Sequence, residues 1–137
     1  MTIFRRKRLP AALEAPHGAF GRVLAEIEPA KEALTEVMPT TRLPGRPLPD
    51  VLAVFEEHLE RALGQMPAWR SPAIEREWSA CDDGIRESLA RARRFREDAP
   101  DLGGFEGLIW AVEELLDPLD PFRAAAERFR SLRVAAR

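Results

Sequence analysis

The chain is 137 residues long, 45% apolar and 32% charged, with a formal net charge of −2 and one cysteine. Length and composition indicate one folded domain able to bury a core and exclude a disordered chain, while the small net charge excludes a strong whole-molecule field as the means of recruiting a partner. A lone cysteine excludes an intrachain disulfide, and no apolar run approaches the ~18 residues of a transmembrane helix, so a cytoplasmic protein is expected.

Residues 1–16 form a basic segment, with Arg5, Arg6, Lys7 and Arg8 behind Ile3 and Phe4. The stretch Leu9–Pro16 contains Glu14 and two prolines and does not resemble the apolar core of a signal peptide. We read it as a loosely held arm preceding a helical domain at residues 17–137. A solvated terminus is the simpler account; such an arm could also meet nucleic acid or an anionic membrane surface, with salt-sensitive affinity. Arginines outnumber lysines 19 to two across the whole chain. GC-rich codon usage produces that skew, so arginine abundance alone points to no partner.

The first helix is predicted from about His17 to Met38, on a seam of Phe20, Leu24, Ile27, Ala30, Leu34 and Val37. Pro29 falls inside it, yet the apolar phase continues across, which predicts a kinked helix and not a break. Thr40–Pro49, with three prolines and Gly45, reads as an extended loop. The second helix is predicted from Pro49–Asp50 to Gly64, with Leu52, Phe55, Leu59 and Ala62 inward. His58 lies at the edge of that seam, where a packed or hydrogen-bonded role is the ordinary one. A short loop carrying Trp69 follows.

The third helix organises the chain. No proline occurs in the 27 residues between Pro72 and Pro100, a length of about 40 Å as helix. Ile74, Trp78, Cys81, Ile85, Ser88/Leu89, Ala92 and Phe95 recur at alternating steps of four and three, one line on one helix face. Ser71 is placed as an N-cap with Pro72 at the first helical position. Cys81, in mid-seam, is expected to be a buried and inert thiol. The fourth helix begins near Phe105 on Leu108/Ile109, Val112, Leu115/Leu116, Leu119, Phe122, Ala126 and Phe129. Asp117–Pro118 and Asp120–Pro121 bend or restart it without changing its phase.

Four amphipathic helices joined by short loops predict an all-α fold, an antiparallel up-down-up-down four-helix bundle with kinked first and last helices. The chemistry that such bundles host is not written here. Paired Glu-x-x-His motifs, zinc-ligand spacings, phosphate-binding glycine loops and serine elbows are all missing from the sequence, so neither cofactor nor metal is expected.

Two acidic stretches bear on an enzymatic alternative: Glu56-Glu57-His58-Leu59-Glu60 and Glu114-Leu115-Leu116-Asp117. Together they resemble the metal-binding signature of all-α nucleoside triphosphate pyrophosphohydrolases. That resemblance implies magnesium held on Glu57, Glu60, Glu114 and Asp117 against a triphosphate. Over fifty residues separate the two stretches, more than that family's helical hairpin allows. At ~100° per residue, Glu57 and Glu60 fall about 200° and 140° from Phe55, and Glu114 and Asp117 about 180° and 120° from Phe105. Both pairs therefore face outward, on helices that an up-down bundle places diagonally.

The same arithmetic puts Trp110 about 140° from Phe105, outward and among Glu106, Glu113, Glu114 and Asp117. An outward tryptophan ringed by carboxylates predicts a cover: Arg5, Arg6, Lys7 and Arg8 of the arm, or a partner molecule. The function expected from sequence is a protein-interaction or structural module without catalytic activity, self-associating as a homodimer or binding another protein through Trp110.

Overall fold

The computed structural model describes residues 7–98 and 101–135. Four rods pack against one another: α1 (Ala11–Thr35), α2 (Leu48–Gln65), α3 (Glu75–Asp98), and a last rod made of α4 (Phe105–Leu116) and α5 (Pro121–Ser131). A 3₁₀ turn at Asp117–Leu119 joins the halves of the last rod, which is bent by 34°. α1 packs on α2, α2 on α3, and α3 on both halves of the last rod, as the up-down-up-down order predicts. The one extended pairing among the described residues is β1 (Lys7–Arg8) against β2 (Val134–Ala135), antiparallel, with Lys7 opposite Ala135 and Arg8 opposite Val134.

α1 starts six residues before the sequence-based expectation. Pro10 stands at its N-cap, and Leu9 and Leu13 are buried, so part of the stretch read as a loose arm belongs to the core. The helix also passes through Pro16 and Pro29 without a break. Each proline deprives the carbonyl four residues earlier of its helical donor. Those carbonyls belong to Ala12 and Ala25, both on the exposed side of the helix, where water can satisfy them. The loop after α1 folds back on the helix end instead of extending: Arg46 donates its backbone N–H to Glu36 O (2.8 Å) and pairs with the Glu36 carboxylate (2.6 Å).

The α3 seam is as predicted, with Ile74, Trp78, Cys81, Ile85, Ser88, Leu89 and Ala92 buried; only Phe95 is half-exposed. Its start differs. Pro72–Ile74 form a 3₁₀ turn, and Ser71 accepts the Ile74 N–H through its backbone carbonyl (3.0 Å), making no side-chain cap. Trp69, read as a loop residue, is fully buried in the 3₁₀ turn Met66–Trp69. It meets Phe20 edge-on at 4.8 Å and Phe129 at 6.1 Å, joining α1 to α5 through an aromatic cluster. Trp78 donates its indole N–H to Met66 O (2.7 Å) while the Arg70 guanidinium lies 4.2 Å above its ring.

The α4 half of the last rod is turned from the orientation that periodicity suggests. Ala111, Leu115, Leu119, Phe122, Ala125 and Phe129 are buried, whereas Leu108, Ile109, Val112 and Leu116 are half-buried and Phe105 is 57% exposed. On α4 the buried line, Ala111 and Leu115, is displaced by roughly 80° from the centre of the predicted seam, whereas Leu119, Phe122 and Phe129 are buried as predicted. Backbone contacts with α3 explain the turn. Pro118 has no N–H, so Glu114 O loses its helical donor; Arg91 Nη1 supplies one at 2.8 Å. One residue on, Ser88 Oγ donates to Leu115 O at 2.6 Å. Opposite the break, α3 carries Gly84, where a Cβ would stand 2.0 Å from Pro118 O. Gly103 and Gly104, with φ of 69° and 109°, make the reversal into α4 that few other residues tolerate.

The contact at Gly84 yields a paired test. Gly84→Ala forces backbone apart and should destabilise the fold by about 1–3 kcal/mol. Gly64→Ala, where a new Cβ meets nothing within 4 Å, should be neutral or stabilising by up to about 1 kcal/mol, because alanine is the better helix former. Urea melts of the two variants measure both; equal effects would refute the close approach of α3 to Pro118.

Candidate functional site

The carboxylates singled out in the sequence are dispersed. Glu57 pairs with Arg61 (2.7 Å) and Glu60 with Arg93 (3.0 Å), both on the α2 side. Glu114 belongs to the α3–α4 contact, its Oε2 3.4 Å from Arg91, and Asp117 is exposed in the 3₁₀ turn. Among the described residues, no three His, Cys, Asp or Glu side chains are placed to hold a metal ion together.

His58 takes the hydrogen-bonded role expected of it. Its Nδ1 lies 2.8 Å from Glu26 Oε2 on α1, and Arg61 Nε donates to the same oxygen at 3.2 Å. Hydrogen bonding from His58, then from Arg61, holds the Glu26 carboxyl below the usual glutamate range. Glu56, the first acid of the same run, faces α3 and is only 4% exposed. Arg93 and Arg96 reach it at 3.8 and 3.0 Å, but Arg96 lies off hydrogen-bonding alignment and Oε2 has no hydrogen-bond partner. Burial outweighs both arginines and pushes the Glu56 carboxyl up. Cys81 is fully buried, and burial raises its thiol to about 12. These groups are packed between helices with no nucleophile–base pair among them, an arrangement suited to holding helices in register.

The exposed tryptophan is the remaining feature. Trp110 is 51% exposed on α4, outward as predicted although the helix is rotated. Its ring meets Phe95 of α3 edge-on at 5.5 Å. Beside it opens a groove of about 330 Å³ lined by Arg91, Arg94, Phe95, Asp98, Trp110 and Glu114. Of the arm's cations, Lys7 and Arg8 do not provide the expected cover. Lys7 and Arg8 pair with Val134 and Ala135, beyond the end of α5, whereas Trp110 lies near the C-terminal end of α3; Arg5 and Arg6 lie outside the described residues. Cations beside the indole come instead from α3. Arg91 is engaged by Glu87 (2.9 Å) and Glu114, while Arg94 has Glu87 at 3.7 Å and stays largely exposed. Sequence reading missed Arg91 and Arg94, because their place beside the indole is set by how α3 packs against α4 and by no spacing along the chain.

Comparison with protein-family models, curated proteins and solved structures finds no match to this chain. Among the described residues, no helix is long and apolar enough to cross a membrane.

Two outcomes follow from these environments. A water-soluble disulfide reagent at pH 8 should label Cys81 slowly in the native protein and rapidly in denaturant; fast native labelling would contradict its burial. The two perturbed glutamates should act in opposite senses on stability against pH. Glu26, lowered in the fold, contributes stability present above the unfolded value and lost as pH falls through its folded value. Glu56, raised in the fold, contributes stability present below the unfolded value and lost as pH rises through its folded value. Acid denaturation should therefore become shallower in Glu26→Gln and steeper in Glu56→Gln, measured as urea-melt stability between pH 7 and pH 3; the same change of slope in both would reject the assignment.

Proposed function

We propose that this protein is a helical-bundle interaction module, without catalytic activity of its own, that engages a protein partner or a second copy where α3 and α4 meet. One observation carries the reading. Trp110 is half-exposed beside a mostly apolar groove, with Phe105 exposed on the preceding turns of the same helix. Single exposed apolar residues are ordinary, but two large aromatics on one helix, beside a groove shared with its neighbour, are the composition of a docking surface. Tryptophan and arginine, which share this groove, are also the residues on which binding energy most often concentrates.

The test separates surface from core. Trp110→Ala should leave urea-melt stability within about 1 kcal/mol of the parent, whereas Trp69→Ala should cost about 3–5 kcal/mol. A photo-crosslinking amino acid at position 110, in the native host, should give one dominant adduct of defined mass, either twice this chain or this chain plus a partner. A large stability loss on Trp110→Ala, or no adduct above that from an exposed α1 position such as Arg22, would refute the docking role.

A further inference from the structure

Resting on that reading, we infer that the occupant of the α4 face is a basic, amphipathic segment of a different protein. Going round α4 from Phe105 to Trp110, an arc of about 140°, the residues met are Leu116, Ile109, Glu113, Glu106 and Asp117. An apolar flank thus gives way to an acidic ridge, with Trp110 on its far side. Glu106, Glu113 and Asp117 are exposed. Among the described residues none of the three has an ion-pair partner, whereas the neighbouring Glu114 is paired with Arg91. These three carboxylates lie along one face of the helix, between the exposed Phe105 and Trp110.

That pattern selects the partner's chemistry. Apolar side chains must cover the flank and the indole, and cations must lie over the ridge, spaced to meet carboxylates seven and four residues apart on α4. A nucleic acid or an anionic membrane would be repelled by the ridge. A second copy joined through the same face would set one acidic ridge against another, since a two-fold contact brings like patches together. Arg94 at the groove fixes the orientation: an uncharged anchor enters beside Trp110, and the cations run along Glu106, Glu113 and Asp117.

Three helical peptides of roughly 18 residues, each with leucine on one face and Lys, Gln or Glu on the other, provide the probes. Trp69 and Trp78 are buried, so a shift in tryptophan emission on binding reports Trp110. The Lys peptide should bind and blue-shift the emission, with the Gln peptide about tenfold weaker and the Glu peptide weaker still. Raising salt from about 0.05 to about 0.5 M should erase the Lys preference, as should the triple change Glu106→Gln, Glu113→Gln, Asp117→Asn, with fold retention checked by circular dichroism. The salt series on the unaltered protein tests the charge assignment even if the triple variant misfolds. Equal binding of Lys and Gln peptides, each lost in Trp110→Ala, would overturn the charge assignment and leave the docking role standing. A preference for the Glu peptide, or emission unmoved by all three, would overturn the inference, while the crosslink at position 110 judges the docking role separately.

Discussion

The bend in the last rod depends on α3 answering backbone groups that proline leaves open. A proline inside a helix costs about 3 kcal/mol when its missing hydrogen bond and steric clash go uncompensated. Here the freed Glu114 carbonyl takes Arg91 Nη1, the neighbouring Leu115 carbonyl takes Ser88 Oγ, and Asp120 N–H closes the 3₁₀ turn on Asp117 O at 3.2 Å. The two bonds from α3 are not available unless the two backbones come close, and Gly84 is what allows it. Three positions on successive turns of α3, Gly84, Ser88 and Arg91, thus fix where the last rod bends and which side of it turns inward.

This is why the third helix was legible in the sequence and the rotation of the fourth was not. The α3 seam is narrow and regular, so its phase follows from spacing alone. In α4 the apolar residues come as adjacent pairs, Leu108/Ile109 and Leu115/Leu116, and fill a wide arc that is compatible with several rotations. What chooses among them is polar or small: a glycine, a serine and an arginine on another helix. Helix 1 was read too short because Pro16 looked like a boundary, whereas its freed carbonyl faces water. Trp69 carried no periodic signal, and a pairing of two residues such as Lys7–Arg8 with Val134–Ala135 leaves none. At the candidate site, the outward direction of Trp110 survived the rotation because it lay near the middle of the exposed arc. Its neighbours Arg91 and Arg94 could not be read, since they depend on the packing of α3 against α4.

The charged residues divide in a parallel way. Many carboxylates and arginines of α1, α2 and α3 are matched within and between helices, as in Glu57 with Arg61 or Glu60 with Arg93. Exposed pairs of this kind contribute little each, about 0–1 kcal/mol, and their effect is more on which neighbours fit than on how tightly they hold. Glu56 is different in kind: a carboxylate removed from water with one oxygen unsatisfied is a standing cost. It places α3 arginines over α2 and penalises slippage of one helix against the other.

Holding a helix by its backbone has a consequence for its surface. A bundle helix is usually kept in place by its apolar stripe, and any side chain it spares for binding is one removed from the core. α4 is held near its C-terminal end by bonds to main-chain carbonyls and by contact at Gly84, which require few of its own side chains. Ala111 and Leu115 are buried beneath it, with Leu108, Val112 and Leu116 packed partly against the core. Phe105 and Trp110 are thereby released from the packing role that their composition would otherwise give them. The exposed face of α4 can then be apolar without unfolding the bundle, and it can change residue by residue without disturbing α3. Such a separation between what anchors a helix and what it displays is the physical condition for a small four-helix fold to present an extended surface to another chain.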